Sequence, residues 1–404
     1  MLSVESYRDE ILAGIQPLQP IELPLIEALG CVLAQDVRAP WPLPSFDNSS
    51  MDGYAVRATD VAAATAEEPV RLRVVDDVPA GYRASEEVTE GTAIRIMTGA
   101  PMPAGADAVV PVEVTDGGIQ AVAVYEPTRP GSCIRLAGGD VMAGMVVVEA
   151  GTELSSRQIA VLAAVGQASV QVHPRPRVIV MSTGSELVEP GTPLTKGLIT
   201  DSNSYMLVST VQEAGAIAYR VGPIMDDEAA FMSAIEDHLH RADLFITSGG
   251  VSMGAYDTVK AVLSTLGTVE FTKVAMHPGM PQGHGHVGER KVPIITLPGN
   301  PVSSYVSFEA FVRPVIRAMR GLSRLTRPVL HATCRTGFDS PPGKMQFMRG
   351  RIVGYQELVV EPVGIAGSHA VAGLGQADCL IVIPAEQVRV EAGSRVQAID
   401  LRPA

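Results

Sequence analysis

The chain has no basic stretch, and its 31 Lys and Arg are outnumbered by 44 Asp and Glu, giving a net charge of −13. An acidic excess of that size repels nucleic acid and acidic membranes at long range, and no alternation of basic with aromatic residues supplies a stacking groove to override it. No nucleic-acid or membrane partner is expected. Paired cysteines are also missing: Cys31, Cys133, Cys334 and Cys379 are scattered and form no C-x-x-C. That argues against a zinc finger, an iron–sulfur cluster or a redox dithiol and leaves reduced, buried thiols. No uninterrupted apolar run reaches the roughly 20 residues that span a bilayer. The opening M-L-S-V-E-S-Y-R-D-E-I-L carries acids where a signal peptide needs an apolar core, so a soluble cytoplasmic protein is expected. G-x-x-x-x-G-K-[ST], G-x-G-x-x-G and G-x-S-x-G are absent, which counts against ATPase, dehydrogenase and serine hydrolase chemistry. There is no regular repeat to build a solenoid.

What is present is 404 residues with 46% hydrophobic content, enough for two to four domains with cores of their own. Residues 3–14 read as a short helix capped by Ser3, with Ile11 and Leu12 on its apolar side. From Asp47 to about Pro130 the pattern changes to short β-type runs such as Leu72-Arg73-Val74-Val75 and Ala108-Val109-Val110. Turns such as V-P-A-G-Y separate them, so a compact all-β module is expected. G-G-D-V-M-A-G-M-V-V-V-E-A-G-T-E-L reads as a hairpin, and S-S-R-Q-I-A-V-L-A-A-V-G as a helix that starts at Ser155 or Ser156 and stops at Gly166. If this segment returns to the first 40 residues, the β-module is an insertion. From Arg177 to about Gly321 apolar strands alternate with helices, as in a sheet covered on both faces. From about Pro328 short β-runs resume.

Three strands of the alternating region end in polar, Gly-rich turns. Val178-Ile179-Val180-Met181 runs into S-T-G-S-E, Leu244-Phe245-Ile246 into T-S-G-G-V-S-M-G, and Ile294-Ile295-Thr296 into L-P-G-N-P-V-S. In a mostly parallel sheet the strand ends share one edge, so these turns are expected to converge on a phosphate-bearing ligand. The first offers the hydroxyls of Ser182, Thr183 and Ser185 and the carboxylate of Glu186, which with Asp257 suits Mg2+. In the second, Gly249 and Gly250 let the backbone approach a ligand closely. Val259, Val262, Leu263 and Leu266 form the buried stripe of the following helix, which turns Asp257 away from the core. Asp257 is equally what a helix amino end takes for dipole reasons. In the third, Asn300 stands at the N-cap and Pro301 at N1, so free N–H groups point toward the sheet edge; capping alone also explains both residues. Asp201-Ser202-Asn203 opens a helix and reads as capping and turn hydrogen bonds.

In the β-module, D-N-S-S-M-D-G-Y-A carries Asp47 and Asp52, and R-I-M-T-G-A-P-M-P-A-G-A-D-A-V-V adds Thr98 and Asp107. Turn chemistry accounts for such residues, and Asp52 can also bind metal or hold a water. His284 and His286 in Q-G-H-G-H fall on one side of an extended segment but lack further zinc ligands, so two exposed loop histidines are expected.

Taken in order, P-S-F-D-N-S-S-M-D-G-Y-A-V, I-M-T-G-A-P-M-P-A-G-A-D-A-V-V, S-T-G-S-E-L, T-S-G-G-V-S-M-G-A-Y-D and L-P-G-N-P-V-S-S resemble the molybdopterin molybdenumtransferase family, the molybdenum insertases, over essentially the whole chain. The resemblance implies a multidomain α/β plus β fold. A discontinuous mixed α/β domain (1–40 and 132–173) carries an inserted β-domain (41–131), followed by a three-layer αβ molybdopterin-binding domain (174–326) and a C-terminal β-barrel-like domain (327–404). It further implies a homodimer whose cleft combines the αβ domain of one subunit with the inserted domain of the other. The implied substrates are adenylylated molybdopterin and molybdate, the products AMP and molybdenum cofactor, and the cofactor Mg2+. An upstream adenylyltransferase and downstream molybdoenzymes are the implied protein partners.

By residue, the resemblance makes Glu186 and Asp257 acids that contact ligand and metal, with Asp52 and Thr98 approaching from the partner subunit as catalytic groups. Ser182, Thr183, Gly184, Ser185 and Asp201 would bind cofactor, as would Ser248, Gly249, Gly250, Val251 and Ser252. Gly299 and Asn300 join them, and Pro298 and Pro301 shape the molybdate side. One departure stands out: in K-V-A-M-H-P-G-M-P, His277 and Met280 occupy positions where the family commonly has basic residues. Lys273 is one substitute for the missing charge, and Lys344 and Arg349 of G-K-M-Q-F-M-R-G are the leading ones. Two other readings stay open: a molybdopterin-binding scaffold or carrier, which binds without releasing AMP, and an insertase paralogue with another oxyanion.

Overall fold

The computed structural model describes residues 1–249, 259, 262–263, 268–354, 357–365 and 367–402. The chain divides into two compact units, Met1–Gln35 with Gly151–Ser155 and Ser169–Ala404, and Asp36–Ala150 with Ser156–Ala168.

The second unit is built on a five-stranded sheet in the order Ala108–Pro111, Gly53–Val56, Thr92–Ile96, Val70–Val78, Ala121–Val124. Only the 70–78 and 92–96 strands run parallel. Tyr54, Val56 and Val110 bury into one face, and Ala55, Ile94 and Val109 into the other. Gly53 begins the strand because a Cβ there would stand 2.0 Å from the Val110 carbonyl oxygen. The hairpin expected from G-G-D-V-M-A-G-M-V-V-V does not form: Val146–Val148 pairs antiparallel with Val37–Arg38. The apolar run identified a strand but not its partner, which lies about a hundred residues earlier.

In the first unit, helix Val4–Ala13 is capped by Ser3, whose hydroxyl accepts from Ser6 N at 3.0 Å. Strand Ser169–His173 lies between Ile21–Pro24 and Val32–Leu33, antiparallel to both, so the chain that leaves near Gln35 returns beside its own start. Arg320 is 1% exposed and donates to Ala214 O, Gly30 O and Glu153, joining segments far apart in sequence.

The αβ part is a six-stranded sheet in the order Ile217–Ile224, Arg177–Thr183, Leu244–Ser248, Val292–Leu297, Pro281–Val287, Glu270–Lys273. The first four are parallel, and Pro281–Val287 is antiparallel to both its neighbours, so only that strand is reversed. Val178, Val180 and Ile246 face Leu207, Val211 and Val306 on one side. Ile179, Met181 and Phe245 face Phe231, Ile235 and Leu263 on the other. Both faces are buried, which is why these strands read as continuous apolar runs. Val259, Val262 and Leu263 are buried as the helical stripe required, whereas Leu266 lies outside the described residues.

The Q-G-H-G-H segment is a strand rather than a loop. His284 sits edge-on to Tyr7 with ring centroids 5.1 Å apart, and burial lowers its pKa. The sequence reading missed this because the covering helix comes from residues 4–13.

At the C-terminus, Met345–Gly354 pairs with both Val359–Pro362 and Cys379–Ile383. Val329–Cys334 and Arg395–Asp400 complete a closed barrel. All four cysteines are free, and burial pushes the Cys379 thiol up to about 12. Among the described residues no helix is long and apolar enough to cross a membrane.

Candidate functional site

Because the 177–183, 244–248 and 292–297 strands are parallel neighbours, their turns emerge together at one sheet edge. Gly249, with φ of +98°, donates its N–H to Leu297 O at 3.1 Å, and a Cβ on it would stand 2.7 Å from Thr183 O. Only glycine lets the second turn pass between the first and third. Asn203 ties the same turns from the side: its Nδ2 donates to Ser248 Oγ at 2.8 Å and to Gly299 O at 2.6 Å, while its buried Oδ1 has no partner among the described residues. From the sequence alone Asn203 reads as a capping or turn residue. Its side-chain reach across two turns leaves no local signal.

Alternation splits the first turn. Ser182 faces the Asn203–Glu213 helix and donates to Asp201 Oδ1 at 3.2 Å, whereas the buried hydroxyl of Thr183 has no partner among the described residues. Ser185 is engaged elsewhere: its N–H donates to Asp226 Oδ2 and its hydroxyl accepts from Asp226 N, both at 3.1 Å. Glu186 is exposed and folds back over Gly184, where a Cβ would stand 2.7 Å from its Oε2.

Asp201 is 1% exposed and braces the site from beneath. It accepts from Ser204 N at 3.0 Å, from Ser204 Oγ at 2.5 Å and from Arg220 at 3.4 Å. Arg220 also donates to both oxygens of Glu189 at 2.7 and 2.8 Å. Gly250, Val251, Ser252 and Asp257 lie outside the described residues.

At the third turn Pro298, Gly299, Asn300 and Pro301 lead into helix Pro301–Ser307. Asn300 holds the N-cap position, but its side chain does not cap: it donates to Ser368 Oγ at 2.9 Å. Ser368 O accepts the Val302 N–H at 3.0 Å. One amide expected to point freely at a ligand is therefore already bonded, because a barrel loop distant in sequence closes over the helix end.

Beside that turn, His277 pairs in register with Gln346, and both line a small cavity with Val302, Arg349 and Ser368. Burial lowers the His277 pKa and the Lys344 ammonium lowers it further, both favouring the uncharged imidazole. Lys344 thus brings positive charge to this corner. Arg349 is 3% exposed, with Nη2 donating to Ile365 O at 2.6 Å and Nη1 to Ala370 O.

In the second unit Asp52 Oδ1 accepts from both Thr98 N and Thr98 Oγ1 at 2.7 Å. The backbone N–H and then the hydroxyl hold the Asp52 carboxyl below the ordinary carboxylate range. With a depressed folded value, the contact is at full strength above the ordinary pKa of about 3.9 and is lost as pH falls through the lower one. Thr98→Val is expected to bring the Asp52 pKa, followed by NMR titration, only part of the way back, because the larger backbone contribution remains. A full return would mean that the hydroxyl alone sets it.

Comparison with known proteins agrees along the chain. Residues 2–166 match the MoeA N-terminal region (domain I and II), residues 179–318 a probable molybdopterin binding domain, and residues 331–401 the MoeA C-terminal region (domain IV). Molybdopterin molybdenumtransferase 2 of Mycobacterium tuberculosis (strain ATCC 25618 / H37Rv) is 46% identical, covering 99% of this chain and 100% of the relative. Molybdopterin molybdenumtransferase 1 of the same strain is 38% identical over 96% of this chain and 97% of its own length. A crystal structure of the molybdopterin biosynthesis MoeA protein from Pyrococcus horikoshii covers 100% of this chain and 99% of its own, with a TM-score of 0.85 at 30% identity.

Proposed function

The chain belongs to the MoeA family of molybdopterin molybdenumtransferases, and from that premise we propose that it transfers molybdate-derived molybdenum into adenylylated molybdopterin and releases AMP. The observation that carries this reading is the convergence of Ser182–Thr183, Ser248–Gly249 and Gly299–Pro301 at one sheet edge, with Asn203 cross-linking the second and third turns. Backbone N–H groups and hydroxyls at such an edge suit a phosphate bound without charged side chains. Pro298 and Pro301 stiffen the third turn toward the molybdate side, where Lys344 supplies positive charge.

In the reaction, water attacks the adenylyl phosphorus in line, directly or on an adenylyl molybdate formed first by attack of a molybdate oxygen. The anhydride P–O bond breaks with the molybdopterin phosphate as leaving group, and AMP carries the oxygen of water. The two dithiolene thiols displace one oxygen of molybdate, which departs as water with the two thiol protons. The protein contributes position and electrostatics rather than a nucleophile. Asp52, fixed by Thr98, acts from the partner subunit of a homodimer with a shared cleft. The adenylyltransferase of the preceding step supplies the substrate, and molybdoenzymes receive the product.

Mg2+ takes one or two carboxylates together with substrate oxygens and water. The exposed Glu186 at the sheet edge fits that demand, although no group of three or more His, Cys, Asp or Glu is gathered for a metal among the described residues. Glu186 and Asp257 would hold the ion, which when bound offsets the negative charge of phosphate, molybdate and acids. The test is AMP release from adenylylated molybdopterin with Mg2+ and either molybdate or tungstate, coupled to metal-loaded pterin. Binding without release would leave a scaffold or carrier. Glu186→Gln is expected to raise the Mg2+ concentration for half-maximal release about tenfold, the effect of a contact worth about 1.4 kcal/mol. A preference for tungstate in that assay would identify an insertase paralogue with another oxyanion.

A further inference from the structure

Leu187–Val188 pairs in parallel with Ile199–Thr200, so residues 189–198 leave the first turn and return beside it. Two backbone bonds hold this short ladder: Ile199 N donates to Glu186 O, and Asp201 N to Val188 O, both at 2.9 Å. The residues that follow the two strands, Glu189 and Asp201, are both carboxylates, and like charges held so close repel. Arg220, on the edge strand Ile217–Ile224, answers both with one nitrogen. Its Nη2 donates to Glu189 Oε1 and Oε2 at 2.7 and 2.8 Å and to Asp201 Oδ2 at 3.4 Å. The rest of the fork is fixed as well. Nε donates to Ser204 Oγ at 2.7 Å, and the guanidinium carbon lies 4.2 Å from the centroid of the Tyr205 ring. Tyr205 in turn donates its hydroxyl to Glu189 Oε2 at 3.0 Å.

We infer that Arg220 is a positioning residue: it clasps the ends of the 187–188 and 199–200 strands and thereby holds Glu186, at the ladder's other end, on the sheet edge. The ladder begins where Glu186 O meets Ile199 N, so a slip of either strand moves Glu186 with it. Glu186 is exposed, and the backbone that carries it decides where its carboxylate stands. The Glu189 and Arg220 side chains are 45% and 23% exposed, so the clasp adds little to global stability and acts locally. A planar guanidinium reaches Ser204 and two carboxylates at once, which the point charge of an ammonium does not reproduce. The inference rests on the insertase reading for its kinetic consequence, whereas the state of the ladder is measured apart from turnover.

The test compares the full-length wild type with Arg220→Met, which removes the charge, Arg220→Lys, which keeps it without the fork, and Glu189→Gln, which weakens one arm. Two quantities are measured: hydrogen exchange at the Ile199 and Asp201 amides, and the Mg2+ dependence of AMP release from adenylylated molybdopterin with molybdate present. In Arg220→Met both amides are expected to exchange about tenfold faster as the ladder opens. The Mg2+ concentration for half-maximal release should rise about tenfold, with kcat at saturating Mg2+ within about threefold, as a displaced ion contact requires. Arg220→Lys and Glu189→Gln should each shift both quantities about threefold. Unchanged exchange in Arg220→Met overturns the inference, whatever the Mg2+ dependence does, because the ladder then stands without the clasp. Faster exchange with an unchanged Mg2+ requirement also overturns it and leaves Arg220 a structural residue only. If Arg220→Met unfolds, Glu189→Gln decides by the same two readings. If the wild type itself releases no AMP, the insertase reading fails, and exchange at Ile199 and Asp201 still tells whether Arg220 holds the ladder.

Discussion

Gly249→Ala is expected to reduce molybdate-dependent AMP release by about a hundredfold, the loss that follows when groups at a reacting centre are displaced by about 1 Å. The residue has φ of +98°, and a Cβ would meet Thr183 O at 2.7 Å and Thr183 Oγ1 at 3.0 Å. The first of these neighbours is backbone at the end of a buried strand and has little room to yield. Strain at such a position costs about 1–3 kcal/mol. Relief comes only by moving the second turn away from the first, which also pulls Gly249 N off Leu297 O. Substrate affinity and turnover should fall together while the melting temperature drops by only a few degrees. If activity persists near the wild-type level with the same modest destabilisation, the convergence of turns is not where the phosphate sits.

Asp201→Ala should produce the larger loss of stability, about 3 kcal/mol, because the buried carboxylate accepts from several donors that its removal leaves unsatisfied. Asp201 has no exposed side-chain surface, whereas Arg220 retains 23% and keeps its bonds to Glu189, so the ion pair adds little. The carboxylate accepts from Ser204 N and Oγ as well as Ser182, so its loss frees the start of the Asn203–Glu213 helix and the first turn together. Thermal unfolding followed by circular dichroism checks the magnitude. Combining Asp201→Ala with Arg220→Met should recover none of the loss, since Arg220 stays paired with Glu189 after Asp201 is removed. A double variant more stable than the single one would assign the effect to the ion pair rather than to the hydrogen bonds with Ser204 and Ser182.

The αβ sheet was legible because its strands are buried on both faces, so Val178–Met181, Leu244–Ile246 and Ile294–Ile295 stand out as uninterrupted apolar runs. The turns followed from those runs, since parallel neighbours must release their ends on one edge. Asn203, Ser368 and the inward direction of Arg349 were not legible, because each depends on a side chain reaching an element far away in sequence. Arg349 shows the difference well: its proximity to the third turn could be anticipated from the motif, but nothing local says that its donors face Ile365 and Ala370. Asp201 is similar, a carboxylate in the right place whose oxygens support the site from below. The hairpin error has the same origin, a strand whose mate lies at residues 37–38.

The return of the chain at Ser169–His173, between Ile21–Pro24 and Val32–Leu33, has a consequence for cooperativity. Leu33 N donates to Thr152 O, and Gly151 N to Leu33 O, so the first unit clamps together two points separated by the Asp36–Ala150 segment. Were that segment unfolded, closing a flexible loop of its length would cost about 4 kcal/mol of chain entropy. Once folded, with its ends held, it removes most of that burden. The two units are therefore thermodynamically linked through the covalent chain, and a core lesion in the second, at Tyr54 for example, lowers the stability of the first.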